Sequence, residues 1–466
     1  MSEHIGGTDQ ASTAKADYER LRTGHLSAVH AALEDHTARL DWTREQIEHY
    51  RDQRLRALLT YAQQRSPFHA ARTRGLDLST ATTADLARLP VMTKQDAQEQ
   101  WDAIVTVPGL DRDQAERTLA EQTWFSYTPG GQQIFSSGGS TGVRGVYVWD
   151  WDLFVSLACL AWRTQAREER RAGGQRPALL AVLEAGEPPH ASTPLFDVPS
   201  TAGMDTVVIP AGEPFDDVLE AVAAARPTHL VGYATVIGRL ARAASTGALD
   251  IKPVRVSTNS EPLFDEDRKA IAEAWNVPVH NLWGSTEIGV QAVGCGHGEG
   301  LHVCEDEVVL ERVDEHGTPV APDEPAARTL ATGLANHTFP FIRYDLGDEV
   351  TTLPGNCPCG SRFARLADIA GRRDDDFHYP ACTVPASVFR HVLGTDPHIA
   401  EYQVHQTPAG AEILAVGSPD ATALTDSVEA ALRRHGLPDP RVSIRTVDHL
   451  ARHEATGKLR RFIALH

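Results

Sequence analysis

From about Tyr127 onward, compact apolar runs alternate with segments of helical spacing, and few folds accommodate that pattern. Ala178-Leu179-Leu180-Ala181-Val182-Leu183, Asp205-Thr206-Val207-Val208-Ile209 and His229-Leu230-Val231-Gly232-Tyr233 read as strands. Phe215 to Ala225 and Val236 to Ala244 read as helices between them. Such alternation predicts an α/β architecture built on a mainly parallel sheet.

The flanking regions have other textures. Leu33, Leu40, Ile47, Leu55, Leu58 and Leu59 recur at helical spacing among many charges, which predicts one or two amphipathic helices over Leu26 to Gln64. A further helix follows Pro90, with Thr93 or Asp96 as its cap. Glu305 to Val350 reads as antiparallel strands turning at Glu315-His316-Gly317 and Pro322-Asp323. After Gly371 comes a small α+β unit, with helices expected at Val384 to Leu393 and Ala421 to His435 and strands at Glu412 to Val416 and Val442 to Val447. A charged cluster, Arg372 to Asp376, separates the two textures. The expected division is a disordered tail and lead-in over 1–25, a large domain over 26–371 containing a β-rich subdomain at 295–359, and a small mobile domain over 372–466.

Charge narrows the partners. Lys and Arg total 44 against 63 Asp and Glu, so the formal charge is 44 − 63 = −19. A field of that sign repels nucleic acid and anionic membranes, and any anionic ligand must be held by local donors. No apolar run approaches the ~20 residues that span a bilayer, and the polar N-terminus lacks the order of a signal peptide. Six cysteines in 466 residues cannot form a disulfide framework, which points to a reducing, cytoplasmic setting.

Ser136-Ser137-Gly138-Gly139-Ser140-Thr141-Gly142 follows a strand-like Gln132 to Phe135. Glycines let several N–H groups point at one anion, and the hydroxyls add donors, so the loop can cradle phosphate. It is not a Walker loop, because the Gly-Lys-Ser/Thr ending is missing. Alone, it is equally a flexible Ser/Gly connection. Four later segments give it company. Trp283-Gly284-Ser285-Thr286-Glu287 combines a flat aromatic, a hydroxyl for phosphate and a carboxylate that suits Mg²⁺. Arg343-Tyr344-Asp345-Leu346-Gly347-Asp348 ends a strand on carboxylates able to bond ribose hydroxyls. Gly371-Arg372-Arg373-Asp374-Asp375 sits at the expected boundary, and Thr456-Gly457-Lys458 carries a lone lysine near the C-terminus.

In this order and spacing, the five segments resemble the adenylate-forming superfamily of acyl-CoA synthetases, peptide-synthetase adenylation domains and luciferases. Ser66-Pro67-Phe68, Leu89-Pro90-Val91-Met92-Thr93-Lys94, Ser260-Glu261-Pro262 and Cys295…Gly300-Leu301-His302 look most like its phenylacetate–coenzyme A ligase branch. The resemblance covers roughly Leu55 to the C-terminus. It implies that Ser136 to Gly142 wrap the β- and γ-phosphates of ATP, and that Glu261, Pro262 and Trp283 line the adenine. It implies that Gly284 and Ser285 complete the nucleotide segment, with Thr286 and Glu287 serving the α-phosphate and Mg²⁺. Asp348 would bind the ribose and Arg372 would approach the nucleotide. Asp374 would be the hinge of a swinging C-terminal domain that inserts Lys458 during adenylation. Two departures stand out. Arg144 occupies a stretch where relatives have Lys or Pro, and Phe377-His378-Tyr379-Pro380-Ala381-Cys382 lacks the glycine usual after the hinge.

Cys295, His302, Cys357 and Cys359 place two ligands on each of two distant segments, a set suited to structural Zn²⁺, with His297 and Cys304 as rivals and buried free thiols as the alternative.

The resemblance implies ATP-dependent activation of a small, aromatic or similar carboxylic acid, with coenzyme A as acceptor. Tyr127, Phe135, Gly232, Tyr233, Ala234 and Ile288 are the expected acyl pocket. A separate carrier-protein thiol or an amine is the alternative acceptor, a catalytically silent nucleotide-binding protein is the alternative class, and a homodimer is left open. Retention of Glu287 and Lys458 weighs against the silent reading, since binding alone does not require that lysine.

Overall fold

A computed structural model describes residues 5–122, 127–128, 130–137, 144–173, 179–185, 190–191, 195, 204–321, 324–369, 371–394, 396, 398–453 and 458–465, with the backbone alone at 5–14 and 374. The Ser/Gly loop beyond Ser137, the turn at Pro322-Asp323, and Thr456-Gly457 lie outside them.

Two helices, Ile5–Arg39 and Arg44–Arg65, open the chain. The tail and lead-in expected over 1–25 are thus helical from Ile5, where Tyr18, Leu26 and Val29 are buried. Thr93 caps the helix Lys94–Glu99 through a reciprocal box with Asp96. Just before it, Met92 exchanges backbone hydrogen bonds with Arg343 and Asp345, both at 2.9 Å.

Strands β1 (Gln133–Ser137) and β2 (Gly145–Trp149) form a hairpin whose last pair is Ser137 with Gly145. After the helix Trp151–Arg171 come β3 (Leu179–Leu183), β4 (Asp205–Val208), β5 (His229–Tyr233), β6 (Arg255–Asn259) and β7 (Val279–Ser285). Intervening helices are Phe215–Ala225, Ala234–Ser245 and Asp265–Trp275. β3 to β7 pair in parallel, as the alternating pattern predicts. Antiparallel β8 (Gly289–Val293) and β9 (Leu301–Val303) extend the sheet. A three-stranded antiparallel sheet holds β10 (Val308–Val313), β11 (Arg328–Gly333) and β12 (Tyr344–Asp345). With β13 (Thr352–Leu353) and β14 (Arg365–Leu366), the main sheet runs β13-β14-β9-β8-β7-β6-β5-β3-β4.

The remaining chain has its own core of Phe377, Phe389, Tyr402, Val404, Leu432 and Phe462. A short hairpin, β15 (Phe377–His378) with β16 (Thr383–Val384), precedes the helices Ala386–Leu393 and Ala421–Arg434. These accompany β17 (Ile399–Thr407), β18 (Gly410–Gly417), β19 (Arg441–Thr446) and β20 (Phe462–Ile463), ordered β19-β18-β17-β20. Among the described residues, no helix is long and apolar enough to cross a membrane.

Candidate active site

The β7–β8 hairpin organises one side of the site. Its register shifts between Trp283 and Gly284, where a Cβ on Gly284 would lie 2.7 Å from the Gly289 carbonyl oxygen. The turn that follows presents Thr286 and Glu287, and neighbouring strands clamp it. Trp149 Nε1 donates to the Thr286 carbonyl at 3.0 Å. The phenols of Tyr147 on β2 and Tyr344 on β12 donate to Glu287 Oε1 at 2.8 and 3.1 Å. Burial, followed by the Glu287 charge, raises both phenol pKa values, so each remains a donor. Ser285 Oγ accepts from Ile288 N at 3.2 Å and Gln291 Nε2 at 2.9 Å.

Asp348 is fixed from two sides. Trp283 Nε1 donates to its Oδ2 at 2.9 Å, while Arg372 Nε lies 3.3 Å from its Oδ1. The indole packs in the main core, so Trp283 acts here through its N–H on the carboxylate. Arg372 also donates to the Leu346 carbonyl at 2.9 Å. Asp374 lies in the short turn Arg373–Asp375 just beyond. The structure therefore brings Thr286, Glu287, Trp283, Asp348 and Arg372 into one connected group, with Ser136 and Ser137 ending the β1 strand that leads to the Ser/Gly loop.

A second cluster lies where the C-terminal unit meets the parallel strands. Glu261 Oε2 accepts from Thr235 N and Oγ1 at 3.1 and 2.8 Å, and Oε1 accepts from Leu459 N at 2.8 Å. Its carboxylate is thus engaged by a helix start and the C-terminal tail, beside half-buried Pro262. Lys458 Nζ lies 5.5 Å above the Tyr233 ring centroid. Burial lowers the Lys458 pKa, and the carboxylates of Glu184 and Glu261 oppose that shift. Arg461 completes the dock, pairing with Glu266 at 2.6 Å and Asp267 at 2.8 Å.

The expected acyl-pocket residues separate. Gly232, Tyr233 and Ala234 lie at the end of β5 beneath Lys458, with Gly232 so close to β3 that a Cβ would meet the Leu183 carbonyl oxygen at 2.3 Å. Ile288 is buried in the main core. Phe135 packs on Trp149 at a centroid distance of 4.7 Å. Tyr127 faces the N-terminal helix, with His25 Nδ1 2.8 Å from its hydroxyl. Arg144 donates to Glu116 Oε2 at 2.6 Å. Sequence reasoning missed Tyr147, whose phenol orients Glu287.

Cys295, His302, Cys357 and Cys359 converge, all buried, with donor atoms within 4.8 Å of one another. Cys295 Sγ lies 3.5 Å from Cys357 Sγ, and Cys359 Sγ lies 3.4 Å from His302 Nε2. Four ligands at about 2.0–2.3 Å from a tetrahedral Zn²⁺ would be separated by similar distances, so the set fits that ion. The rivals His297 and Cys304 lie outside the cluster. Cys304 is instead buried beside Arg163, with its thiol pushed up to about 12 by burial.

No protein-family model matches the chain. Phenylacetate-coenzyme A ligase of Thermus thermophilus is 23% identical over 386 residues, covering 78% of both chains. Protein CapK of Staphylococcus aureus is 25% identical over 338 residues, 70% of this chain and 67% of its own. A crystal structure of 2-hydroxyisobutyryl-CoA ligase in the postadenylation state superimposes with a TM-score of 0.70 at 17% identity, over 91% of this chain and 90% of that one. The same ligase in its thioesterification state gives 0.58 at 18% identity, over 91% of each. The fold is that of the adenylate-forming superfamily. Within it, the similarity runs to the phenylacetate–coenzyme A ligase-like branch, as the motifs imply.

Proposed function

We propose that this chain uses ATP to convert a small, aromatic or similar carboxylic acid to its acyl-adenylate, releasing pyrophosphate, and then transfers the acyl group to coenzyme A. The observation that carries the reading is the position of Lys458. It is delivered by the C-terminal unit onto the β5 end, with Leu459 N bonded to Glu261.

The roles follow from charge and geometry. The loop of residues 136–142 holds the β- and γ-phosphates, Thr286 bonds the α-phosphate, and Asp348, set by Trp283 and Arg372, bonds the ribose. Partly exposed Glu287, oriented by two phenols, suits Mg²⁺, which would neutralise phosphate charge when bound. The acid's carboxylate attacks the α-phosphorus while Lys458 stabilises charge passing between the two anions, so positioning and electrostatics dominate. The C-terminal unit then rotates about Asp374 to admit the acceptor. The Cys/His quartet holds a structural Zn²⁺ that staples the β-rich region.

Coenzyme A as acceptor draws support from the relative named a coenzyme A ligase. A carrier thiol or amine is the second reading, favoured by the post-hinge hairpin. There Tyr379 N bonds the Cys382 carbonyl at 2.9 Å and its hydroxyl bonds the Gly410 carbonyl at 2.7 Å, fixing a segment without the family's glycine. ATP–pyrophosphate exchange across aryl and alkyl acids, followed by thioester detection with coenzyme A, tests the proposal. Exchange without thioester would redirect the acceptor, and absence of exchange with every acid would overturn the activity.

A further inference from the structure

Thr235 opens the helix Ala234–Ser245, two residues after the Tyr233 ring that lies beneath Lys458 Nζ, and it is buried. Its hydroxyl has partners on two sides. It donates to Glu261 Oε2 at 2.8 Å and accepts from Arg452 of the C-terminal unit at 3.0 Å. Arg452 also donates to buried Glu401 at 2.6 Å, and the second Glu401 oxygen lies 3.5 Å from Arg239 Nε. Glu261 in turn accepts from Leu459 N at 2.8 Å through its other oxygen. One continuous chain of hydrogen bonds therefore runs Glu401–Arg452–Thr235–Glu261–Leu459. It starts in the C-terminal unit, crosses the ends of the parallel strands, and returns to the residue beside Lys458.

Chemistry fixes the direction of this chain. A guanidinium only donates and a carboxylate only accepts, so the hydroxyl between them must accept from Arg452 and donate to Glu261. Bonds of this kind, with one charged partner, are shorter and stronger than neutral ones. Thr235 N adds a third donor to Glu261 at 3.1 Å, so both carboxylate oxygens are held. The main chain at Leu459 is thereby fixed against the strand ends, and the lysine before it with it. A catalytic group misplaced by about 1 Å can lose roughly 100-fold in rate. Glu401, Arg452 and Leu459 belong to the C-terminal unit, whereas Thr235 and Glu261 do not, so the chain exists only while that unit is docked.

We infer that Thr235 is a positioning residue for Lys458, acting through the Glu261 carboxylate and the Leu459 main chain. This rests on the adenylation reading and goes beyond it. Glu261 then serves the dock, apart from the adenine lining that its motif implies. Thr235 acts on the rate of the adenylation step and not on the binding of ATP.

The test is ATP–pyrophosphate exchange by the whole chain, with phenylacetate or whichever aryl or alkyl acid the wild type uses fastest. Thr235→Val keeps the shape and removes the hydroxyl, whereas Thr235→Ser keeps the hydroxyl. Thr235→Val should lower kcat by roughly 10- to 100-fold, with KM for ATP and acid within about 3-fold of wild type. Thr235→Ser should restore kcat to within about 3-fold of wild type. In a Lys458→Ala background, Thr235→Val should cost less than about 2-fold more, because its effect passes through the ammonium. Wild-type rates in Thr235→Val, equal losses in the Val and Ser variants, or an undiminished further loss in the Lys458→Ala background would each overturn the inference and leave adenylation standing. A raised KM with kcat retained would do the same, since it marks a contact to ligand. Exchange by the wild type with no acid removes the adenylation reading itself. Should Thr235→Val fail to fold, Thr235→Ala carries the same expectations.

Discussion

The hydroxyl of Tyr147 donates to Glu287 Oε1 across 2.8 Å, joining the β1–β2 hairpin to the carboxylate proposed to hold the metal. Tyr344 donates to the same oxygen from another sheet. Groups that orient a metal ligand commonly matter almost as much as the ligand. Tyr147→Phe should therefore raise the Mg²⁺ concentration for half-maximal exchange by roughly 10-fold, measured by titrating Mg²⁺ at saturating ATP. Unchanged Mg²⁺ dependence would show that the pair serves packing alone.

Lys458→Ala should abolish adenylation, by a factor of about 100 or more, while leaving ATP affinity nearly intact. Exchange kinetics and calorimetric ATP binding check the two halves separately. Loss of ATP binding or of folding would count against the assigned role.

The lysine also sets a pH limit. Burial lowers its pKa, so its proton is lost at a lower pH than from an ordinary lysine. Activity that needs the ammonium should fall as pH rises through that lowered value. Lys458→Arg, charged throughout the accessible range, should remove this alkaline limb even where its maximum rate is lower. Identical alkaline limbs in the two proteins would place the titration elsewhere.

Metal analysis of protein purified without chelators should find about one zinc per chain. Cys359→Ser should lose it and lower Tm by several degrees, because metal binding contributes directly to folding. Zinc retained at full stoichiometry in that variant would exclude the Cys295, His302, Cys357 and Cys359 set.

Arg461 pairs with buried Asp267 and partly buried Glu266, and stacks on Phe264 at 4.6 Å. Breaking such a pair typically costs about 3–5 kcal/mol. Arg461→Ala should undock the C-terminal unit, detectable as a larger radius of gyration and faster tryptic cleavage at Arg372 and Arg373. An unchanged cleavage rate would mean that other contacts hold the dock.

The fold was legible where burial matched residue type. His229 to Tyr233 and Phe215 to Ala225 fall on an observed strand and helix because apolar runs and stripes there face a core. β17 escaped notice because Glu401 and Gln403 are buried within it as well as apolar residues. Their partners, Arg452 and the Arg460 carbonyl, lie about fifty residues away in the tail. The first part of the N-terminal helix, before Leu26, escaped because it is polar, and the helix packs against the helix Trp151–Arg171. In the site, the motif segments were visible individually. What could not be read were side chains meeting across long separations, such as Tyr147 with Glu287, or Tyr127 turning to the N-terminal helix instead of joining Tyr233.

Leu459 is anchored by its main-chain N–H and Arg461 by its side chain, with only one residue between them. The tail therefore works as a ruler. The hydrogen bond from position 459 needs no particular side chain, proline excepted, although the buried site calls for an apolar one, and the spacing is fixed. One residue added or removed between Lys458 and Arg461 would move the ammonium by about 3.5 Å, the reach of one residue of extended chain. An insertion or deletion between Lys458 and Arg461 should therefore be as damaging to adenylation as loss of the lysine itself, even with every side chain retained.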